Sequence, residues 1–167
     1  MIIVLIGAKG SGKTHIGRVL ESKLGIHYVN VEPLWMAYHA SCTAAGVTPS
    51  TRDGITHVHP AIDDALHQYA IVCVDTTGAS QPILDALLSL SQKSRLLRVR
   101  VDAPLDMCLD RIKRRDTSGQ IPCDESVVRK VHELSTALPL SYDLTVENTN
   151  FSDDDIAARF RPFLTQP

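Results

Sequence analysis

Ile2-Ile3-Val4-Leu5-Ile6-Gly7-Ala8-Lys9-Gly10-Ser11-Gly12-Lys13-Thr14 decides how this chain is read. Five apolar residues lead into a glycine-rich octet, and Ile16, Val19, Leu20 and Leu24 follow at helical spacing, so the order is strand, loop, helix. The octet at residues 7–14 fits G-x-x-x-x-G-K-S/T, the Walker A pattern, in the setting that pattern requires. Glycines let successive backbone N–H groups turn inward on one anion, and the helix that follows adds its positive N-terminal end. Phosphate is the natural guest. Gly7, Lys9, Gly10, Ser11, Gly12, Lys13, Thr14 and His15 are therefore the candidate nucleotide-binding residues, with Lys13 reaching the β- and γ-phosphates of ATP and the Thr14 hydroxyl ligating Mg²⁺.

Outward from the loop, short apolar runs alternate with amphipathic segments to the end of the chain, the pattern of an α/β protein with a parallel sheet covered by helices. Strands are expected at residues 2–6, 27–31, 71–75, 96–101 and 142–147. Residues 32–66 read as mostly helical, broken near 46–50 and at Pro60. Residues 81–90 form a covering helix, and Leu105, Cys108, Leu109 and Ile112 mark another after Pro104. Val127, Val131, Leu134 and Leu138 line a further helical face, and Ser152 followed by three aspartates is an N-cap opening the last helix. The run 96–101 alternates, with Arg98 and Arg100 on one side, which places it near an opening rather than in a fully covered interior.

The chain's 167 residues, with 44% hydrophobic and 22% charged positions and a net charge of −2, suit one folded domain with a real core. That balance disfavours a general nucleic-acid coat or an anionic membrane as partner. Cys42, Cys73, Cys108 and Cys123 make no C-x-x-C motif and read as reduced thiols. With the opening apolar run too short for a signal peptide and no span of about 20 apolar residues, the expectation is a cytoplasmic enzyme, monomeric or a weak homodimer.

Three further segments bear on the reaction. Residues 110–119 are a cation-loaded helix end running into a small polar loop, which suits a lid; Arg111 and Arg115, one turn apart, would neutralise a transferring phosphoryl group. Asp75 ends a buried strand beside Thr77 and Gly78, where open α/β sheets place their ligands, and it would order a Mg²⁺-bound water. Asn30 and Glu32 sit two apart at the end of the second strand, and Glu32 would take the proton of an acceptor hydroxyl. Trp35, Met36 and Tyr38 are either pocket wall or core. The pair His57 and His59 lacks a third ligand at zinc spacing.

These residues resemble the small P-loop kinases of the nucleoside-monophosphate kinase and shikimate kinase group, with a second likeness to polynucleotide-kinase-type P-loop ATPases. The likeness is carried by GAKGSGKT from Gly7, DTTG from Asp75, DAPLDMCLDRIKRRDTSGQIP from Asp102 and the end strand leading to Asn148. It implies a three-layer α/β/α P-loop NTPase with a five-stranded parallel sheet in order 2-3-1-4-5 and an ATP donor. It also implies an acceptor-binding insertion at residues 30–61, a lid at 114–121, and Asn148 beside the adenine. Shikimate kinases carry acids at the positions matching both Asn30 and Glu32, and a triple glycine where this chain has Thr77-Gly78-Ala79, so the acceptor itself departs from that pattern.

The function expected is transfer of the γ-phosphoryl of ATP to a small-molecule alcohol or phosphate. Its alternatives are a polynucleotide-type end kinase and a P-loop ATPase without a small-molecule acceptor. Eight cations against three acids between Lys93 and Arg115 suffice for a phosphorylated substrate but are modest for duplex, so nucleic acid is not favoured. No lysine is followed two places later by aspartate, which removes a GTP switch. An AAA-type ATPase is set aside for want of chain length and of an arginine supplied in trans.

Overall fold

The computed structural model describes residues 1–114 and 123–164. In chain order the elements are β1 (Ile2–Ile6), α1 (Lys13–Leu24), β2 (His27–Val29), α2 (Val31–Ala44), α3 (Thr51–Gln68), β3 (Val72–Thr76), α4 (Gln81–Lys93), β4 (Leu96–Asp102), α5 (Leu105–Arg114), α6 (Glu125–Thr136), β5 (Leu144–Glu147) and α7 (Asp153–Leu164). The five strands form one parallel sheet in the order β2-β3-β1-β4-β5.

β1 is the centre of that sheet, and all five of its residues are buried because helices cover both faces. Alternate side chains separate onto the two faces. Ile3 and Leu5 join Ile16, Leu20, Ile156 and Phe160 on the side of α1 and α7. Ile2, Val4 and Ile6 join Val58, Ile62, Leu87 and Leu90 on the side of α3 and α4. Phe160 is fully buried, and its truncation to alanine would cost about 3–5 kcal/mol. α7 opens as expected: the Ser152 hydroxyl accepts from the Asp155 N–H at 3.2 Å, and the Asp155 carboxylate accepts from the Ser152 N–H at 3.1 Å.

Three expectations need correction. The second strand stops at Val29; Asn30 caps α2, its Oδ1 accepting from the Glu32 N–H at 3.3 Å, so Glu32 stands in the first turn of a helix rather than on a strand. Pro60 does not break the chain: α3 runs on through it. On α6 the inward positions are Val128 and Ser135, while Val127 and Leu134 are exposed, a rotation of one residue from the expected face. As expected of a strand that is not covered on both faces, Arg98 and Arg100 alternate with buried Leu97, Val99 and Val101 and stay partly exposed, paired with Asp143 and Asp102 respectively.

Candidate functional site

The loop between β1 and α1 is shaped by two glycines that no other residue replaces easily. Gly10 and Gly12 have φ of 85° and 99°, in the left-handed region, and a Cβ at Gly10 would lie 2.5 Å from the Cys108 carbonyl oxygen. A side chain at Gly12 would run into the Asn148 amide.

The loop's outward carbonyls are taken up from behind. Asn148 Nδ2 donates to the Ser11 carbonyl at 2.9 Å. Arg111 donates through Nη1 to the Gly10 and Ser11 carbonyls at 3.4 and 3.3 Å, and through Nη2 to the Asn148 carbonyl at 2.8 Å. The Gly7 and Ser11 N–H groups donate to the Thr76 and Ala8 carbonyls, each at 3.2 Å, and the remaining loop amides at the start of α1 are the ones that can serve an anion. α1 carries no acid in its first turn, so nothing of the helix's own opposes an anion there.

Lys13 is buried, and its Nζ donates to the Gly7 and Ala8 carbonyls at 2.9 and 2.8 Å, curled over the nest. Ser11 is wholly buried, and its Oγ has no hydrogen-bond partner among the described residues. That hydroxyl lies behind the loop, away from the cleft; what faces the cleft is Gly10, Gly12, Lys13 and Thr14, a set that fits phosphate.

Across from the loop, Asp75 Oδ1 accepts the Tyr28 hydroxyl proton at 2.8 Å. Burial raises the Asp75 carboxyl above its usual range and nearby Glu32 adds to this, while Lys13 and the Tyr28 hydrogen bond pull it back. Burial likewise raises the Tyr28 phenol, with the Asp75 charge and hydrogen bond adding to the shift. Tyr28 lies against Gly17, where a Cβ would come within 2.6 Å of its ring. Lys9 and Glu32 pair across the mouth at 3.4 Å, tying the loop to α2.

These groups border one cleft of about 500 Å³. Of the expected site residues, Lys9, Gly10, Gly12, Lys13, Thr14, His15, Glu32, Asp75 and Arg111 line it. Gly7, Ser11 and Asn148 do not. Asn148 lies buried behind the loop as a brace. Arg115 and most of the expected lid lie outside the described residues. Trp35 is cleft wall, whereas Tyr38 is core, its hydroxyl accepting from the Ser50 N–H at 2.9 Å. His15 is exposed, with its Nε2 3.2 Å from Asp153. Tyr28 is the residue the sequence reading missed; a tyrosine alternating inward on a strand that ends at the cleft was the available signal.

The sheet order and the nest define a P-loop protein with the fold of the small P-loop kinases. A family model described as an AAA domain matches residues 3–132, and the chain belongs to that family. No curated protein sequence matches it. Among solved structures, the shikimate kinase of Acinetobacter baumannii in complex with shikimate is similar, with a TM-score of 0.61 and 21% identity over 98% of this chain and 92% of that one. A gluconokinase from Sinorhizobium meliloti aligns with a TM-score of 0.64 and 18% identity, covering 94% and 87% of the two chains. The deoxyadenosine kinase of M. mycoides with bound dATP aligns at 0.60 and 14%, covering 99% and 100%. These likenesses show the fold. The family's description as an AAA domain bears on the AAA-type ATPase that the sequence analysis set aside, while the acceptor-independent P-loop ATPase stood there as an alternative.

Proposed function

We propose that the chain is an ATP-dependent phosphotransferase that moves the γ-phosphoryl group to a small-molecule alcohol or phosphate. The observation that carries this reading is the shape of the cleft. Its 500 Å³ extends from the phosphate loop past Glu32, Trp35 and His39 to Thr51 and Ala79, leaving room for a second reactant beside the loop. Hydrolysis needs only a water there.

In this reading the loop amides and Lys13 hold the donor phosphates, Lys13 exchanging its carbonyl partners for phosphate oxygens. Thr14 and Asp75 would hold Mg²⁺, and the ion would supply positive charge that neutralises the phosphates. The acceptor oxygen attacks the γ-phosphorus as the bond to the β–γ bridging oxygen breaks, and ADP leaves with that electron pair. The proton of an alcohol passes to Glu32 or Asp75; a phosphate acceptor needs no such step. Arg111, already at the cleft, closes on the γ-phosphoryl together with Arg115, and residues 30–61 and 114–121 serve as acceptor side and lid. Positioning and charge carry the rate, since the transition state is loose.

The second reading is an acceptor-independent ATPase, with which the family's description as an AAA domain is equally compatible. ADP release with Mg²⁺ and ATP, measured with and without a panel of sugars, cyclic alcohols, nucleoside monophosphates and a 5′-hydroxyl oligonucleotide, separates the two. Stimulation by one class supports transfer and names the acceptor; release indifferent to all of them supports the ATPase.

A further inference from the structure

Tyr28 brings a hydroxyl into an otherwise apolar setting. It is buried in the core cluster on the α1 and α7 side of the sheet, with Ile16, Leu20, Ile26 and Cys73. The register of the sheet decides where the phenol arrives. Tyr28 is paired with Cys73 on β3, and Asp75 lies two residues further along that strand on the same face, a diagonal step that a long aromatic side chain spans. α1 comes down on the ring at Gly17, where a Cβ would lie 2.6 Å from Tyr28 Cδ2 and Cε2. The ring is thus held between strand and helix, and its hydroxyl donates to Asp75 Oδ1 at 2.8 Å. Thr14 is a second polar neighbour, near enough for its hydroxyl to favour the ionised phenol.

A phenylalanine would fill the same space, so packing alone does not call for the hydroxyl. What the hydroxyl adds is a fixed partner for a carboxylate. Asp75 lines the cleft and Tyr28 does not, so Tyr28 reaches the chemistry only through its neighbours. A carboxylate free to turn about its side-chain bonds presents its oxygens in many directions, and one anchored by a hydrogen bond presents few. Thr14 and Asp75 offer the hard oxygen donors that Mg²⁺ takes, and both border the cleft beside the phosphate loop. Hydrogen bonds that orient such carboxylates are worth about 10- to 100-fold in metal affinity.

We infer that Tyr28 is a positioning residue of the nucleotide site, its hydroxyl holding the Asp75 carboxylate in the orientation from which that carboxylate serves Mg²⁺. This rests on the placement of Mg²⁺ at Thr14 and Asp75 in the proposed function, and it holds equally for transfer to an acceptor and for hydrolysis. Gly17 belongs to the same device, because only a residue without a side chain lets α1 close on the ring and keep the phenol at Asp75.

The test is calorimetric and uses the full chain with the β,γ-imido analogue of ATP, titrated once in EDTA and once in saturating Mg²⁺. The ratio of the two affinities reads the metal's contribution without turnover. Tyr28→Phe should keep the metal-free affinity within about twofold and lower the ratio about tenfold. A merely structural role would weaken both affinities together and leave the ratio alone. Asp75→Asn should lower the ratio at least as far, and adding Tyr28→Phe to it should lower it no further, the mark of one residue acting through another. Gly17→Ala, which drives a methyl group into the ring, should also lower the ratio, and it serves if Tyr28→Phe fails to fold. A ratio that Asp75→Asn lowers and Tyr28→Phe does not, or losses that add in the double variant, overturns the role of Tyr28 and leaves the metal placement standing. A ratio that Asp75→Asn leaves unchanged removes the metal placement, and the role of Tyr28 with it.

Discussion

On the donor side of the cleft, shape is held by the backbone and by two braces: buried Asn148 and half-buried Arg111 pin the outward carbonyls, and two left-handed glycines set the bend. On the acceptor side, shape is held by side chains on α2, α3 and α4, with a half-buried ion pair at the mouth. The difference is instructive. A nest of amides recognises any phosphate, so its geometry is the same whatever the second reactant. A wall of side chains recognises one kind of molecule, and its identity rests on individual residues.

The largest expected effect breaks the donor side. Lys13→Ala should lower ATP turnover by about a hundred- to a thousandfold while the far-ultraviolet circular dichroism stays that of the native fold. Near-native turnover would show that the nest is not where chemistry occurs.

Asn148→Ala asks whether the braces matter as much as the nest. It removes the Nδ2 bond to the Ser11 carbonyl in a buried position, so urea unfolding should show a loss of about 1–3 kcal/mol. MgATP affinity by calorimetry should fall with it. Unchanged affinity would mean the loop holds its shape without support.

A third prediction sits where the two sides meet. The Asp75 carboxyl is raised chiefly by burial, so between its ordinary 3.8 and its folded value the native state binds more protons than the unfolded chain. Stability then falls as pH rises through that window, and the penalty persists above it. Asp75→Asn should melt higher than the wild type near neutral pH, the gap closing as pH falls toward 3.8, and it should lose turnover. A variant that melts lower at neutral pH would contradict the assignment.

The smallest effect is on the acceptor rim. Glu32→Gln breaks the half-buried pair with Lys9 and should change unfolding free energy by less than about 1 kcal/mol. If Glu32 takes the acceptor's proton, turnover with an alcohol falls far more than turnover with a phosphate acceptor, which carries no such demand. Equal losses would leave Asp75 as the base.

The same contrast explains what the sequence disclosed. The donor side was legible because a nest needs glycine, lysine and threonine at fixed spacing directly after a strand, and the central strands read clearly as unbroken apolar runs. The braces were not legible: Asn148 lies 137 positions from Ser11, and only sheet closure brings them together. Asn30-Val31-Glu32 reads as strand by alternation, yet Asn30 caps a helix because its side chain answers the Glu32 N–H. Pro60 misled in the same way, since a proline costs one helical bond and the apolar contacts of Val58, Ile62 and Ala65 outweigh that loss. The α6 face was misjudged by one residue because Ser135, small and bonded through Oγ to the Thr77 carbonyl at 2.7 Å, takes an inward place that hydropathy assigns to leucine.

The most direct test follows the γ-phosphorus itself by ³¹P NMR, in a reaction holding the protein, Mg²⁺, ATP and the acceptor that stimulates ADP release most. A phosphotransferase gives a new phosphomonoester resonance growing in step with ADP. Inorganic phosphate appearing at the same rate with and without the acceptor, and no ester, would contradict it.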